Sequence, residues 1–275
     1  MGRASRPLLV ASLVILAGLF AACGGDEVVL PGIAAAPSGE ITVFAAASLT
    51  EAFKEIALVF EEDYPGAKVI FNFAGTPTLR TQLEQGARAD VFASANREQM
   101  DLARESGIVE ATSSTFARNA LAIITPSDNP AAIESAADLA REGLKLVVAQ
   151  EDVPVGAYTR QALQAMSADP AFSPGFAAAV LRNVVSLESN VKQVVAKVEL
   201  GEADAGIVYG TDVTPSLAGK LNQVEIPESF NVIAEYPAAL VTERRNDALA
   251  RAFVDFLLSE RGQMILARYG FLGAG

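Results

Sequence analysis

The sequence predicts an α/β fold, and three observations carry that expectation. From residue 40 onward, short β-branched runs alternate with stretches of helical periodicity. The joints between them hold the Gly, Pro, Ser and Thr that open and close helices. The chain is 51% hydrophobic, and the roughly 235 residues past position 39 are long enough to bury a sizeable core. Strand and helix in alternation imply parallel strands covered on both faces.

Strands are predicted at residues 41–44, 68–73, 90–93, 120–125, 144–149, 183–186 and 205–209. Helices are predicted between them at 49–62, 78–85, 98–105, 159–168 and 191–200, the last three closed by glycine or by Asp169-Pro170. Two more, at 247–259 and 262–268, precede Tyr269-Gly270-Phe271 and read as packing elements. There is no internal repeat and no low-complexity tract past the tether.

Ahead of this domain, Arg3 and Arg6 precede an apolar run that ends in Leu19-Phe20-Ala21-Ala22-Cys23. The run is short for a bilayer span, starts positive, and places small residues before a cysteine, so residues 1–22 read as a secretory signal ending in a lipobox. Cys23 is the only cysteine, which excludes a disulfide framework and marks it as a lipidation site. Multiple acyl chains on Cys23 would anchor the protein stably to a membrane surface, with residues 23–39 as the tether. Contact with the membrane is expected through this anchor only.

The chain has 21 Lys and Arg against 33 Asp and Glu; loss of Arg3 and Arg6 with the signal leaves 19 against 33, a net charge of −14. Nucleic acid is therefore not an expected partner. Histidine is absent, so the commonest general base and the soft metal ligands are missing. Most hydrolase, protease and zinc mechanisms are excluded.

Four strand-to-helix junctions share one chemical character: each offers backbone N–H groups with hydroxyl or small side chains. In Ala45-Ala46-Ala47-Ser48-Leu49-Thr50-Glu51, Ser48 and Glu51 match a capping box. In Gly75-Thr76-Pro77-Thr78, Thr76 suits an N-cap and Pro77 the first helical turn. Val153-Pro154-Val155-Gly156-Ala157-Tyr158 carries a glycine that suits close approach to a ligand. Glu188-Ser189-Asn190-Val191 opens the helix that runs to 200. Helix N-termini carry unpaired N–H groups and about half a positive charge each, so four of them can balance a dianion. Tyr209, on pattern alone a half-buried packing residue, ends the strand at 205–209. Arg80, Arg97, Arg160 and Lys192 read as solvated helix faces and stay outside the site.

These segments, together with Gly86-Ala87-Arg88-Ala89-Asp90-Val91-Phe92-Ala93-Ser94-Ala95, Gly201-Glu202-Ala203-Asp204-Ala205-Gly206-Ile207-Val208-Tyr209-Gly210-Thr211-Asp212 and Arg268-Tyr269-Gly270-Phe271, resemble the periplasmic molybdate-binding protein family. The resemblance runs in the family's order from Ile41 nearly to the C-terminus. It implies a two-lobed, periplasmic-binding-protein-like fold of type II with an interlobe cleft. Residues 40–118 plus 236–275 would form one lobe and 119–235 the other, with hinge crossings near 116–121 and 235–237.

It also implies a role as the monomeric solute-binding protein of an ABC transporter, delivering molybdate or tungstate to a permease, with no cofactor and no catalysis. By position the oxyanion-binding residues fall on Ser48, Thr76, Val155, Val191 and Tyr209, which hold the metal as its oxyanion without direct ligation. Where the family commonly has consecutive serines this chain has Thr76-Pro77, and Pro77 removes one N–H donor. Neutral donors suit a fully deprotonated dianion. Phosphate needs an acceptor for its proton, and no carboxylate lies immediately at the first or second junction, although Glu188 is near the fourth, so phosphate is disfavoured rather than excluded. The alternatives are a binding protein for sulfate, an iron complex or an organic acid, and an enzyme built on Asp90 or Asp212.

Overall fold

The computed structural model describes residues 36–274; the signal at 1–22, Cys23 and the tether up to residue 35 lie outside the described residues. The chain enters through β1 (Gly39–Ala46), then α1 (Thr50–Asp63), β2 (Ala67–Ala74), α2 (Thr76–Glu84), β3 (Val91–Ala93) and α3 (Arg97–Glu105). A long strand, β4 (Ser114–Pro126), leads to β5 (Leu146–Ala149), α4 (Pro154–Ala168), α5 (Phe176–Arg182), β6 (Val184–Glu188), α6 (Val191–Glu199) and β7 (Ala205–Tyr209). β8 (Leu221–Glu225), β9 (Ile233–Leu240), α7 (Asp247–Leu258) and α8 (Glu260–Arg268) complete it. The α/β class and all seven predicted strands are present, with β4 longer than predicted. β8, β9 and α5 are additions.

The strands form one sheet in the order β2-β1-β3-β9-β4-β7-β5-β6, with β8 also on β4. It is mixed rather than parallel, which corrects the expectation from alternation alone. β1 runs parallel to β2 and β3, and β5 parallel to β6 and β7, but β9 is antiparallel to β3 and β4, and β4 to β7 and β8. The reversed strands are the connecting ones. β4 pairs with β9 as far as Ala120 and with β7 from Leu121 onward, so a single strand serves both halves of the sheet. This change of partner comes after Ala120, opposite Ile233, and residues 235–237 of β9 pair with Thr115–Arg118 just before it.

One apolar core runs through both halves, from Phe53 and Phe116 to Val147 and Val194. On one side Phe53 of α1 packs at 5.6 Å from Phe116 and 6.0 Å from Phe253, edge-on to the latter. On the other, a Cβ at Gly206 of β7 would meet Val194 at 2.8 Å and Val198 at 3.1 Å, so the missing side chain lets α6 sit directly on the strand. Asp90, an enzyme candidate on sequence, accepts from the backbone of Thr42 (2.7 Å), Arg245 (2.7 Å) and Asn246 (3.1 Å). These bonds tie the β3 start to β1 and to the entry of α7. Among the described residues no helix is long and apolar enough to cross a membrane.

Candidate ligand-binding site

The first junction is built differently from its local pattern. After β1 the chain makes one 3-10 turn, Ala47–Leu49, and α1 begins at Thr50 with no side-chain cap. The expected Ser48–Glu51 capping box is not formed, because both side chains have partners far along the chain. Ser48 Oγ lies 3.1 Å from Tyr236 Oη, and Glu51 accepts from Lys192 Nζ at 2.8 Å.

At the second junction Gly75 is the N-cap, and Thr76 is the first helical residue of α2. Thr76 Oγ1 accepts from the Ala95 amide at 3.3 Å, leaving its own proton free to donate. Pro77 sits in the first turn, so the donor it removes is one of the unpaired set.

The third helix, α4, starts at Pro154 rather than at 159, which places the Val155 N–H in its first turn with no helical partner. Gly156 is not at the cavity. A Cβ there would fall far inside contact distance of the Ala149 and Gln150 carbonyl oxygens, so this glycine serves the packing of α4 onto the end of β5, correcting the ligand-approach reading. At the fourth junction Asn190 caps α6 by accepting from the Gln193 amide at 3.1 Å, and Val191 opens the helix.

Tyr209 ends β7, fully buried, and its hydroxyl has no hydrogen-bond partner among the described residues. Burial pushes its pKa well above the ordinary tyrosine value, so it stays a neutral O–H donor. The packing reading holds for the ring, 5.8 Å from Tyr236 and edge-on to it; the hydroxyl is what is left over.

The structure brings Ser48, Thr76, Val155, Val191 and Tyr209 to one small cavity, walled also by Ala46, Ala47, Gly75, Pro154 and Asn190. No charged side chain lines it. Glu188 is turned to Lys197 at 2.7 Å and Ser186 at 2.6 Å, so the wall offers no carboxylate to a protonated anion.

The cations set aside on sequence are also accounted for. Arg80 bonds Gln99 at 3.0 Å, Arg97 bonds Thr115 at 3.2 Å and pairs with Glu235, and Arg160 donates to the Gly156 carbonyl at 2.9 Å. Lys192 is not a solvated-face residue as read. Its ammonium sits 2.8 Å from Glu51 and 3.2 Å from Asp212. Asp212 is fully buried, and burial pushes its carboxyl up to about 6 against the pull of Lys192. Because the unfolded carboxyl ionises at its ordinary value of 3.8, stability falls as pH rises from about 4 to about 6 and is not regained above that. Asp212 also accepts from the Tyr209 amide at 3.2 Å, a structural duty that matches its turn reading.

Three contacts cross the cavity from the α1–α3 side to the α4–α6 side. Lys192 reaches Glu51, Gln99 Nε2 donates to the Asp152 carbonyl at 3.4 Å, and Gly75 lies against the Ser189 carbonyl. Sequence reasoning missed Tyr236 and Asn119 behind the cavity. Residues 235–237 had been read only as a hinge, and no local pattern marks Asn119.

Comparison with known proteins gives three concordant results. Residues 41–272 match the bacterial extracellular solute-binding protein family. The chain is 40% identical over 266 residues to the molybdate-binding protein ModA of Mycobacterium tuberculosis H37Rv, covering 94% of this chain and 95% of the relative. Among solved structures, the substrate-binding domain of a putative molybdenum ABC transporter from Clostridium difficile superposes with a TM-score of 0.63 at 29% identity, over 85% of this chain and 98% of that one. The sulfate-binding protein SubI of M. tuberculosis shares the fold with a TM-score of 0.77 at 20% identity, over 85% and 86% of the two chains.

Proposed function

The chain belongs to the bacterial extracellular solute-binding protein family, in the group of the molybdate-binding proteins, and from that membership and its cavity we propose that it captures molybdate or tungstate for an ABC transporter permease. The observation that carries the reading is the Tyr209 hydroxyl, a buried donor without a protein partner, facing a cavity rimmed by helix starts and free of charged side chains. Such a wall can donate but has no carboxylate with which to accept. A tetrahedral dianion receives charge-assisted hydrogen bonds from it, and the N-termini of α2, α4 and α6 supply partial positive charge without a counter-ion.

On this reading the bound group is cargo, and the protein is a monomeric carrier without a catalytic step. Residues 40–118 plus 236–275 form one lobe and 119–235 the other, and they close on the ion because its donors come from both. The signal at 1–22 exports the chain, and the acylated Cys23 holds it outside the cytoplasm on a membrane surface, in the periplasm or on the outer face of the cell membrane. Replacing Cys23 with alanine is expected to move the protein from the membrane fraction to the soluble one; retention of Cys23→Ala by membranes would contradict the anchor.

A panel of oxyanions in a thermal-unfolding assay tests the ligand. At about 100 times the Kd a ligand adds roughly 2.7 kcal/mol, so molybdate and tungstate are expected to raise the melting temperature by about 5–10 °C. Sulfate and phosphate should do less. A larger shift with sulfate or phosphate would overturn the assignment.

A further inference from the structure

Behind Ser48 a chain of hydrogen bonds has a fixed direction. The Asn119 side-chain oxygen accepts from the Ala120 amide at 3.0 Å, which orients the amide so that Nδ2 faces inward. Nδ2 donates to Thr211 Oγ1 at 2.7 Å and to Tyr236 Oη at 3.4 Å. An amide NH₂ has no acceptor capacity, so Tyr236 Oη receives a proton there and its own O–H is left to point at Ser48 Oγ, 3.1 Å away. Ser48 accepts that bond, and its own proton turns toward the cavity that Ser48 lines. All three residues are buried, so water does not compete for these bonds.

We propose that Asn119 and Tyr236 are positioning residues that lock the Ser48 hydroxyl as a donor, so that the Ser48 corner of the site favours an oxyanion oxygen that carries no proton. The inference rests on the oxyanion reading above and names how that site selects its substrate class: fully deprotonated tetrahedral dianions. A free serine hydroxyl rotates, donating to one ligand and accepting from another. Held by Tyr236, its proton stays aimed at the ligand, and a P–O–H group set against it meets a donor.

The test is a pair of titrations on the full-length protein, with sodium molybdate and with inorganic phosphate as its competitor, at mildly alkaline pH where phosphate carries one proton. Tyr236→Phe keeps the ring among Tyr209, Phe116 and Phe271 and removes the directing O–H. The preference for molybdate over phosphate is expected to fall at least about tenfold, because Ser48 regains the ability to accept. Asn119→Ala, which removes the upstream donor, should move the preference in the same direction. In a Ser48→Ala background Tyr236→Phe should leave the preference unchanged.

A purely structural role for Tyr236 predicts equal weakening for both anions. An unmoved ratio, including phosphate that still fails to compete while molybdate is merely weakened, overturns the relay. A shift that persists without Ser48 does so too. Absence of molybdate binding by the wild-type protein sinks the proposed function along with it, whereas binding with an unmoved ratio sinks the relay alone.

Discussion

Gly75→Ala is expected to weaken molybdate binding by about 100-fold while leaving the ligand-free protein as stable as before or slightly more so. At φ −60° and ψ 139° the backbone of Gly75 is in a region open to any residue, so alanine brings no strain of its own. Through the unfolded chain it should add about 0.4–1 kcal/mol of stability. The penalty falls elsewhere: a Cβ at this position lands far inside contact distance of the Ser189 carbonyl oxygen. That oxygen belongs to the backbone just ahead of α6 and cannot swing aside as a flexible side chain would. Overpacking of this kind costs about 1–3 kcal/mol, and the upper end corresponds to roughly two decades in affinity. On the proposed closure of the two lobes, the clash arises only when the two sides of the cavity meet. Denaturant unfolding without ligand and titration with molybdate separate the effects. Unchanged affinity, or a loss of ligand-free stability equal to the loss of affinity, would contradict closure across this contact.

Tyr209→Phe is the second large effect. The substitution keeps the ring, which packs edge-on against Tyr236, and deletes one hydroxyl. A hydrogen bond to a charged group contributes about 1.5–3 kcal/mol, so affinity should fall roughly 10- to 150-fold. The same hydroxyl is buried with no protein partner, a state that costs about 1–3 kcal/mol where water does not satisfy it. The ligand-free protein should therefore be no less stable, and by up to that amount more stable, when it is gone. Function at the cost of stability is expected at a binding site. A variant that loses stability and keeps its affinity would show the hydroxyl to be a structural group.

The fold class and the strand-to-helix junctions were legible because they rest on signals local in sequence, whereas the five cavity residues came by position from the family resemblance, Tyr209 reading on pattern alone as a packing residue. Strands announce themselves by β-branched runs, and the start of α2 by Pro77, whereas the Pro154 start of α4 was placed five residues late. What was illegible depends on partners far along the chain. The S-x-x-E pattern at Ser48 and Glu51 is a sound local capping signal, yet Tyr236 is 188 residues from Ser48 and Lys192 is 141 from Glu51. Those interior bonds replace the cap. β9 was missed because Pro237 interrupts its apolar pattern, although it lies between β3 and β4, and with it went the antiparallel character of the sheet's middle. β8, whose central residues are largely exposed, has too few apolar residues to announce a strand. Gly156 was assigned to the ligand since glycine permits close approach; what approaches it is the protein's own carbonyl groups.

The central claim, that neutral donors alone hold a dianion in a protein of net charge −12, is tested most directly by calorimetric titration of the purified protein with sodium molybdate at low and high concentrations of an inert salt. An enclosed set of neutral donors predicts one bound ion per chain and an affinity that stays nearly constant or rises slightly with salt, because screening relieves the long-range repulsion and barely reaches the cavity. An affinity that collapses as salt is added would mean that cations hold the ion, and the site described here would be wrong.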